Sequence, residues 1–286
     1  MPPFQWTDNK QFSSPAINAN NAPKSGSNWI LINKQMPKLV LMRHGATLWG
    51  QENRFAGWGD TPLSDAGHKE AQSAAKILAD ANFIFDKYYT SELKRAKQTL
   101  AATVALYPEV RDSIQTDWRL NERHYGALQG ETREAMIEKY GNQQVVDWRR
   151  SFTAVPPPLP DGDPRWLEQL QRLPAINVAD QPRTESMATA AARVAPVWHE
   201  HIAPDLRQGG QVLVVAHTSS IRGLARAIEN LSDSDSANFR IATAIPLVYE
   251  FDASLQLVAK TFLDTNVSGS FRRWFNRFKP RGLGWI

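Results

Sequence analysis

Two short apolar runs stand out along the chain, Lys38-Leu-Val-Leu-Met42 and Val212-Leu-Val-Val-Ala216. Each is too brief for a helix and is bounded by polar residues, the pattern of a strand buried on both faces. Elsewhere the period becomes helical. Ala71, Ala74, Ala75 and Leu78 share one face of a predicted helix, with Ser64 as its N-cap and Asp65 in its first turn. Tyr88-Tyr89 reads as a short strand, and Ser91 as the cap of a helix running from Glu92 towards Leu106. Further helices are predicted from Met187 to His201 and from Ile221 to Ile228, and late strands over Leu247 to Phe251 and Leu257 to Phe262. Strands alternating with helices predict an α/β protein with a mainly parallel sheet covered on both faces.

Around this body, residues 1–35 are rich in Asn, Ser, Pro and Ala without periodicity and are expected to form a flexible leader with one apolar patch at Trp29 to Ile32. The catalytic body is expected over residues 36–264. Within it, residues 151–185 hold Pro156-Pro157-Pro158, Pro160, Asp161-Gly162 and Pro164, and read as an insertion over the sheet edge. Residues 265–286 form a basic aromatic tail. Phe271, Trp274, Phe275 and Phe278 fall on one helical face there, expected to dock on the body or on a neighbouring subunit rather than on a membrane surface.

Composition narrows the chemistry. With no cysteine, a disulfide scaffold, a thiolate zinc site and a cysteine nucleophile are excluded. No apolar run approaches the roughly 18 residues of a spanning helix, and the opening MPPFQWTDNK has neither a basic leader nor an apolar core, so a cytoplasmic location is expected. The chain carries a net charge of +4, but Arg272, Arg273, Arg277, Lys279 and Arg281 lie in a tail without acids. Setting those five cations aside leaves residues 1–264 at −1, which argues against a nucleic-acid partner.

Both apolar runs end on a histidine, in Arg43-His44-Gly45 and His217-Thr218-Ser219. Ligands of open parallel sheets sit beyond the carboxyl ends of the strands, so both imidazoles are expected in one crevice. A neutral imidazole is a nucleophile able to carry a phosphoryl group. The charge of that group needs guanidinium partners, for which Arg43, Arg95, Arg123, Arg149 and Arg150 are candidates. Glu122 is the candidate proton carrier. No third ligand at a recognisable spacing accompanies the two histidines, and no metal is expected. His68, His199 and His201 are expected to face solvent, and His124 to be a structural hydrogen-bonder.

Several segments occur together and in order: Arg43-His44-Gly45, Glu52-Asn53-Arg54-Phe55, Gly57-Trp58, Ser91-Glu-Leu-Lys-Arg95-Ala96, Leu120-Asn-Glu-Arg-His-Tyr-Gly-Ala-Leu-Gln-Gly130, Trp148-Arg149-Arg150 and Pro246-Leu-Val-Tyr-Glu250. From about Lys38 to Leu263 the chain resembles the cofactor-dependent phosphoglycerate mutases of the histidine phosphatase superfamily. The resemblance implies a three-layer α/β/α sandwich, with His44 as the phosphohistidine nucleophile, Glu122 as proton donor and acceptor, and His217 stabilising the transferring group. It also implies that Arg43, Asn53, Gly57, Arg95, Arg123, Tyr125, Arg149 and Arg150 belong to the site that holds a small phosphorylated carboxylate. It implies priming by 2,3-bisphosphoglycerate, interconversion of 3- and 2-phosphoglycerate without a metal, and assembly as a homodimer or homotetramer.

The chain departs from the family at five further site positions. The family has Asn where this chain has Gly50, Thr or Ser at Ala56, Lys at Arg133, and Gly-Asn at Thr218-Ser219. Lost hydrogen bonds at Gly50 and Ala56, and the added bulk of Thr218, predict a weaker hold on the doubly phosphorylated ligand. The alternatives are therefore a phosphohistidine-type phosphatase and, less favoured, a non-catalytic phosphate-binding relative.

Overall fold

The computed structural model describes residues 36–106 and 113–263. The leader with its patch at Trp29 to Ile32, and the aromatic stripe of the tail, lie outside the described residues.

Six strands, β1 (Lys38–Arg43), β2 (Lys87–Thr90), β3 (Ile114–Thr116), β4 (Gln211–Ala216), β5 (Leu247–Phe251) and β6 (Leu257–Phe262), form one sheet in the order β3-β2-β4-β1-β5-β6. The first four run parallel, and β5 and β6 add an antiparallel edge. The apolar runs are its two central strands, buried from both sides because helices cover both faces. Val40, Met42, Leu213 and Val215 meet Ala74 and Leu78 of α2 (Asp65–Asp80) and Leu100 and Val104 of α3 (Lys94–Val104). Leu39, Leu41, Val212 and Val214 point the other way, onto Val194 and Val197 of α7 (Met187–Val197) and Ile221 and Leu224 of α9 (Thr218–Glu229). The result is the expected α/β/α sandwich. Among the described residues, no helix is long and apolar enough to cross a membrane.

Three local expectations are corrected. Ser91 is not the N-cap of α3: the cap position is Leu93, whose side chain makes no cap bond, and the Ser91 hydroxyl accepts from Leu93 N–H at 3.2 Å and bonds His217. The helix from Met187 is α-helical only to Val197. Pro196 cannot donate to the ladder, and a π-helical turn over Trp198–Ile202 follows before the short α8 (Ala203–Arg207). His201 is half-buried and shares a hydrogen bond with Arg119 Nη2 at 3.0 Å instead of facing solvent. The last long helix, α9, begins at Thr218, one residue after His217, and α10 (Asp233–Asn238) follows it.

The connections that wall the site sit beyond the carboxyl ends of the parallel strands. They carry the single turn α1 (Leu48–Gln51), the pair α4 (Arg133–Tyr140) and α5 (Asn142–Arg150), and α6 (Pro164–Arg172) inside the Pro-rich segment. That segment docks on loops rather than on a sheet edge. Arg165 donates to the carbonyls of Ala127 and Gln129, Arg172 to that of Trp58, and Gln169 bonds His124.

Candidate active site

The register of the sheet builds the centre of the site. β1 and β4 pair Arg43 with Ala216, so the next residues, His44 and His217, emerge side by side, their ring centroids 5.0 Å apart. Gly45 has no side chain because none fits: a Cβ there would lie 2.5 Å from the Gly67 carbonyl oxygen. The turn after His44 is pinned by Thr99, which accepts from Gly45 N–H, and Glu70, which accepts from Ala46 N–H.

His44 Nδ1 lies 2.7 Å from the Gly45 carbonyl oxygen, which can only accept, so the proton sits on Nδ1 and the Nε2 lone pair is free. Burial, with Arg95 and Arg43 adding repulsion, holds the imidazole well below its ordinary pKa and keeps it neutral. His217, fully buried, is likewise kept neutral by burial and by Arg95. Its Nε2 shares a 2.7 Å hydrogen bond with Ser91 Oγ.

Glu122 Oε1 accepts from the N–H of Arg123 at 2.8 Å and of Ser219 at 3.0 Å. Burial pushes this carboxyl up, but the hydrogen bond from Ser219, that from Arg123 and the charges of Arg95 and Arg123 outweigh it, and the net shift is downward. Without ligand, Glu122 is a carboxylate. Its loop is clamped from behind by Arg193 of α7, an unforeseen contributor. Arg193 forms a bidentate buried pair with Glu185, at 2.7 and 2.8 Å, and donates to the carbonyls of Arg119, Asn121 and Glu122. Trp58 Nε1 donates to the same Glu122 carbonyl at 2.6 Å.

His44 and Glu122 open on one cavity of about 630 Å³. Of the predicted site residues, Arg43, His44, Gly50, Ala56, Gly57, Arg95, Glu122, Arg123, Tyr125, Arg133, Arg149, Arg150, Thr218 and Ser219 line it. His217 lies directly behind His44. Asn53 is the exception. Its backbone is left-handed, at φ 57°, and its exposed side chain bonds Glu134 at 3.4 Å and does not line the cavity. Gly57 contributes its carbonyl, which with that of Gly59 holds the Arg95 guanidinium at 2.7 and 2.8 Å. Thr47, Arg54, Arg222 and Arg240 also line the cavity; Arg54 sits in the Glu52-Asn53-Arg54-Phe55 motif, and neither motif spacing nor periodicity marks the other three.

The donor set fits an anion with several charged groups. Nine arginines line the cavity among the described residues, against one carboxylate, Glu122. Arg43 Nε, Arg95 Nε, and Arg123 Nε and Nη1 are buried without a protein partner, an arrangement that a phosphate or carboxylate oxygen relieves. Among the described residues no cluster of three His, Asp or Glu side chains is placed to hold a metal. A free imidazole nitrogen, a carboxylate and unpaired guanidinium groups in one pocket can transfer a phosphoryl group and move the accompanying proton.

The model of the histidine phosphatase superfamily (branch 1) matches residues 39–172 and 159–261. The chain is 44% identical over 228 residues to the 2,3-bisphosphoglycerate-dependent phosphoglycerate mutase of Elusimicrobium minutum, covering 80% of this chain and 92% of that protein. It is also 44% identical to the enzyme of the same name from Hamiltonella defensa, covering 79% and 91%. The chain belongs to the phosphoglycerate mutase family of the histidine phosphatase superfamily. Among solved histidine phosphatase folds, a mycobacterial glucosyl-3-phosphoglycerate phosphatase in complex with VO3 superimposes with a TM-score of 0.57 at 26% identity, covering 74% of this chain and 92% of that one.

Proposed function

We propose that the protein interconverts 3-phosphoglycerate and 2-phosphoglycerate by ping-pong transfer through phosphorylated His44. The observation that carries this reading is the His44 ring itself, with Nδ1 fixed on a carbonyl, Nε2 free, and His217 and arginines with unpaired Nε donors around it. Bound 2,3-bisphosphoglycerate supplies the phosphoryl group that primes His44, and the unpaired guanidinium donors of Arg43, Arg95 and Arg123 suit its phosphates.

On the primed enzyme the ionised Glu122 is in the correct state to begin. It removes the proton from the attacking substrate hydroxyl as that oxygen bonds to phosphorus and the phosphorus–Nε2 bond of His44 breaks. His44 is left neutral, as its surroundings favour. Nε2 then attacks the other phosphoryl group, and protonated Glu122 returns its proton to the departing oxygen. The proton and the phosphoryl group are both restored, so the cycle balances without an external acid. Arg43 and Arg95 stabilise the transferring group, while Arg123, Tyr125, Arg133, Arg149 and Arg150 hold the remaining phosphate and carboxylate. The reading extends to a cytoplasmic homodimer or homotetramer on the family resemblance alone.

The test is one incubation of purified protein with 3-phosphoglycerate, with and without 2,3-bisphosphoglycerate, following 2-phosphoglycerate and free phosphate together. Cofactor-stimulated 2-phosphoglycerate with little free phosphate is expected. Free phosphate without isomerisation would replace the mutase by the phosphatase reading, with Gly50 and Ala56 in the cavity wall as the cause. His44→Ala is expected to lose phosphoenzyme labelling and at least ~10³ of turnover.

A further inference from the structure

None of residues 151–185 lines the cavity, yet through Arg172, the last residue of α6, the Pro-rich segment grips the backbone that holds Arg95 and Glu122. Residues 57–60 form that backbone. The carbonyls of Gly57 and Gly59 accept from Arg95 at 2.7 and 2.8 Å, and the carbonyl between them, that of Trp58, accepts from Arg172 Nη2 at 2.7 Å. Trp58 N–H donates to Gln129 Oε1 at 2.5 Å, and the Trp58 indole N–H to the Glu122 carbonyl at 2.6 Å. Asp60 accepts at 2.7 Å from the N–H of Lys94, the first residue of α3 and the neighbour of Arg95, and Arg172 Nη1 lies 3.6 Å from the same carboxylate.

Trp58 is buried, so without Arg172 its carbonyl would be a buried acceptor with no partner. That carbonyl belongs to the peptide whose other end is the Gly59 N–H, which donates to the Ala56 carbonyl at 2.8 Å. Turning this peptide towards another partner breaks the turn from Ala56 to Gly59 and draws the Gly59 carbonyl off Arg95, because glycine resists rotation least. We propose that Arg172 is a positioning residue: by fixing the Trp58 carbonyl it keeps residues 57–60 in the shape that presents Arg95 to the transferring phosphoryl group and, through the Trp58 indole, Glu122 to the reacting oxygen. This rests on the phosphoryl-transfer reading. It gives the Pro-rich segment a part in the reaction without contact to the substrate.

The test compares the full chain with Arg172→Met and Arg172→Lys, in steady-state assays with 3-phosphoglycerate and 2,3-bisphosphoglycerate that follow 2-phosphoglycerate and free phosphate together. Arg172→Met removes the donor and is expected to lower kcat by about 10- to 100-fold. KM for 3-phosphoglycerate should stay within about twofold, because the arginines that hold the substrate are untouched. Arg172 holds the Trp58 carbonyl with a single nitrogen, so the amine of Arg172→Lys can take its place and should restore most of kcat. Unchanged kcat in Arg172→Met, a rise in KM as large as the fall in kcat, or no recovery with lysine would overturn the proposal. Should Arg172→Met not fold, Trp58→Phe tests the other arm by removing the indole N–H from Glu122: lower kcat at unchanged KM is expected, and unchanged kcat would overturn the proposal. The two readings fail separately. A native protein that releases only phosphate, more slowly in Arg172→Met, would keep the positioning role and remove the mutase; equal 2-phosphoglycerate formation by both proteins would do the reverse.

Discussion

His44 and His217 differ less in position than in partner: one is held by a backbone carbonyl, the other by the Ser91 hydroxyl. Ser91 therefore acts through His217 as a positioning residue. Ser91→Ala is expected to lower kcat by about 10- to 100-fold with little change in KM, because a ring free to rotate no longer meets the transferring group; equal kcat in steady-state assays would show that His217 needs no such support. Gly50 is a second residue-scale case. Its N–H is held by Thr47 Oγ1, and a Cβ there would stand 3.0 Å from that hydroxyl, the end of a side chain that can adjust. Gly50→Asn is accordingly expected to fold and to lower KM for 3-phosphoglycerate by up to about tenfold, through one added hydrogen bond to an anion. A raised or unchanged KM would show that the cavity is complete without that amide.

Among the elements, α7 does two jobs. Its apolar face packs on the sheet, and Arg193 on another face grips the Glu122 loop together with Glu185. Breaking a buried pair leaves an uncompensated charge, so Arg193→Met is expected to cost about 3–5 kcal/mol in urea unfolding. Arg193→Lys keeps the charge but loses the planar fork, and should lower kcat more than it raises KM. If that substitution left kcat untouched while destabilising the protein, Arg193 would be structural only. The helix α6 carries its own start signals in the sequence. Asp163 caps it by accepting from Arg165 N–H, and Pro164 occupies the first turn, both ordinary helix-start signals. The surrounding prolines masked them. The edge strand β3 is three residues long and only partly buried, so it leaves almost no periodicity to read.

For the whole molecule, three buried histidines set the response to acid. His44 and His217 are held neutral far below their ordinary pKa, and His124, buried against Gln169, is lowered to about 4. Each imidazole regains an ordinary pKa near 6.5 on unfolding. Below pH 6.5 the unfolded chain thus binds protons that the native protein refuses, and stability falls with decreasing pH. The effect is absent at pH 7.5 and is still growing at pH 5 for all three. Urea midpoints at pH 7.5, 6 and 5 are expected to drop steadily, with proton uptake on unfolding approaching three near pH 5; a constant midpoint over that range would contradict the burial of neutral imidazoles. The lowered carboxylates Glu122 and Asp163 add to acid sensitivity only below about pH 4.5.

By itself the sequence determined the sandwich and the heart of its site. Unbroken apolar runs of four and five residues, Leu39 to Met42 and Val212 to Ala216, are satisfied as strands covered on both sides, and the histidines that follow them then lie beyond the same edge of the sheet. Ordered motifs added Glu122, Arg95 and the arginines of α5. Tertiary structure decided which groups complete that site. Ser91 reaches His217 across 126 positions, Glu122 reaches Ser219 across 97, and Arg193 reaches the Glu122 carbonyl across 71. No local period or spacing carries contacts of that length, because they depend on the register of β1 with β4 and on where α7 and α9 pack. The same holds for Asn53, whose family-like side chain bonds Glu134 and does not line the cavity, and for Arg222 and Arg240, which come to line that cavity only after the chain has folded.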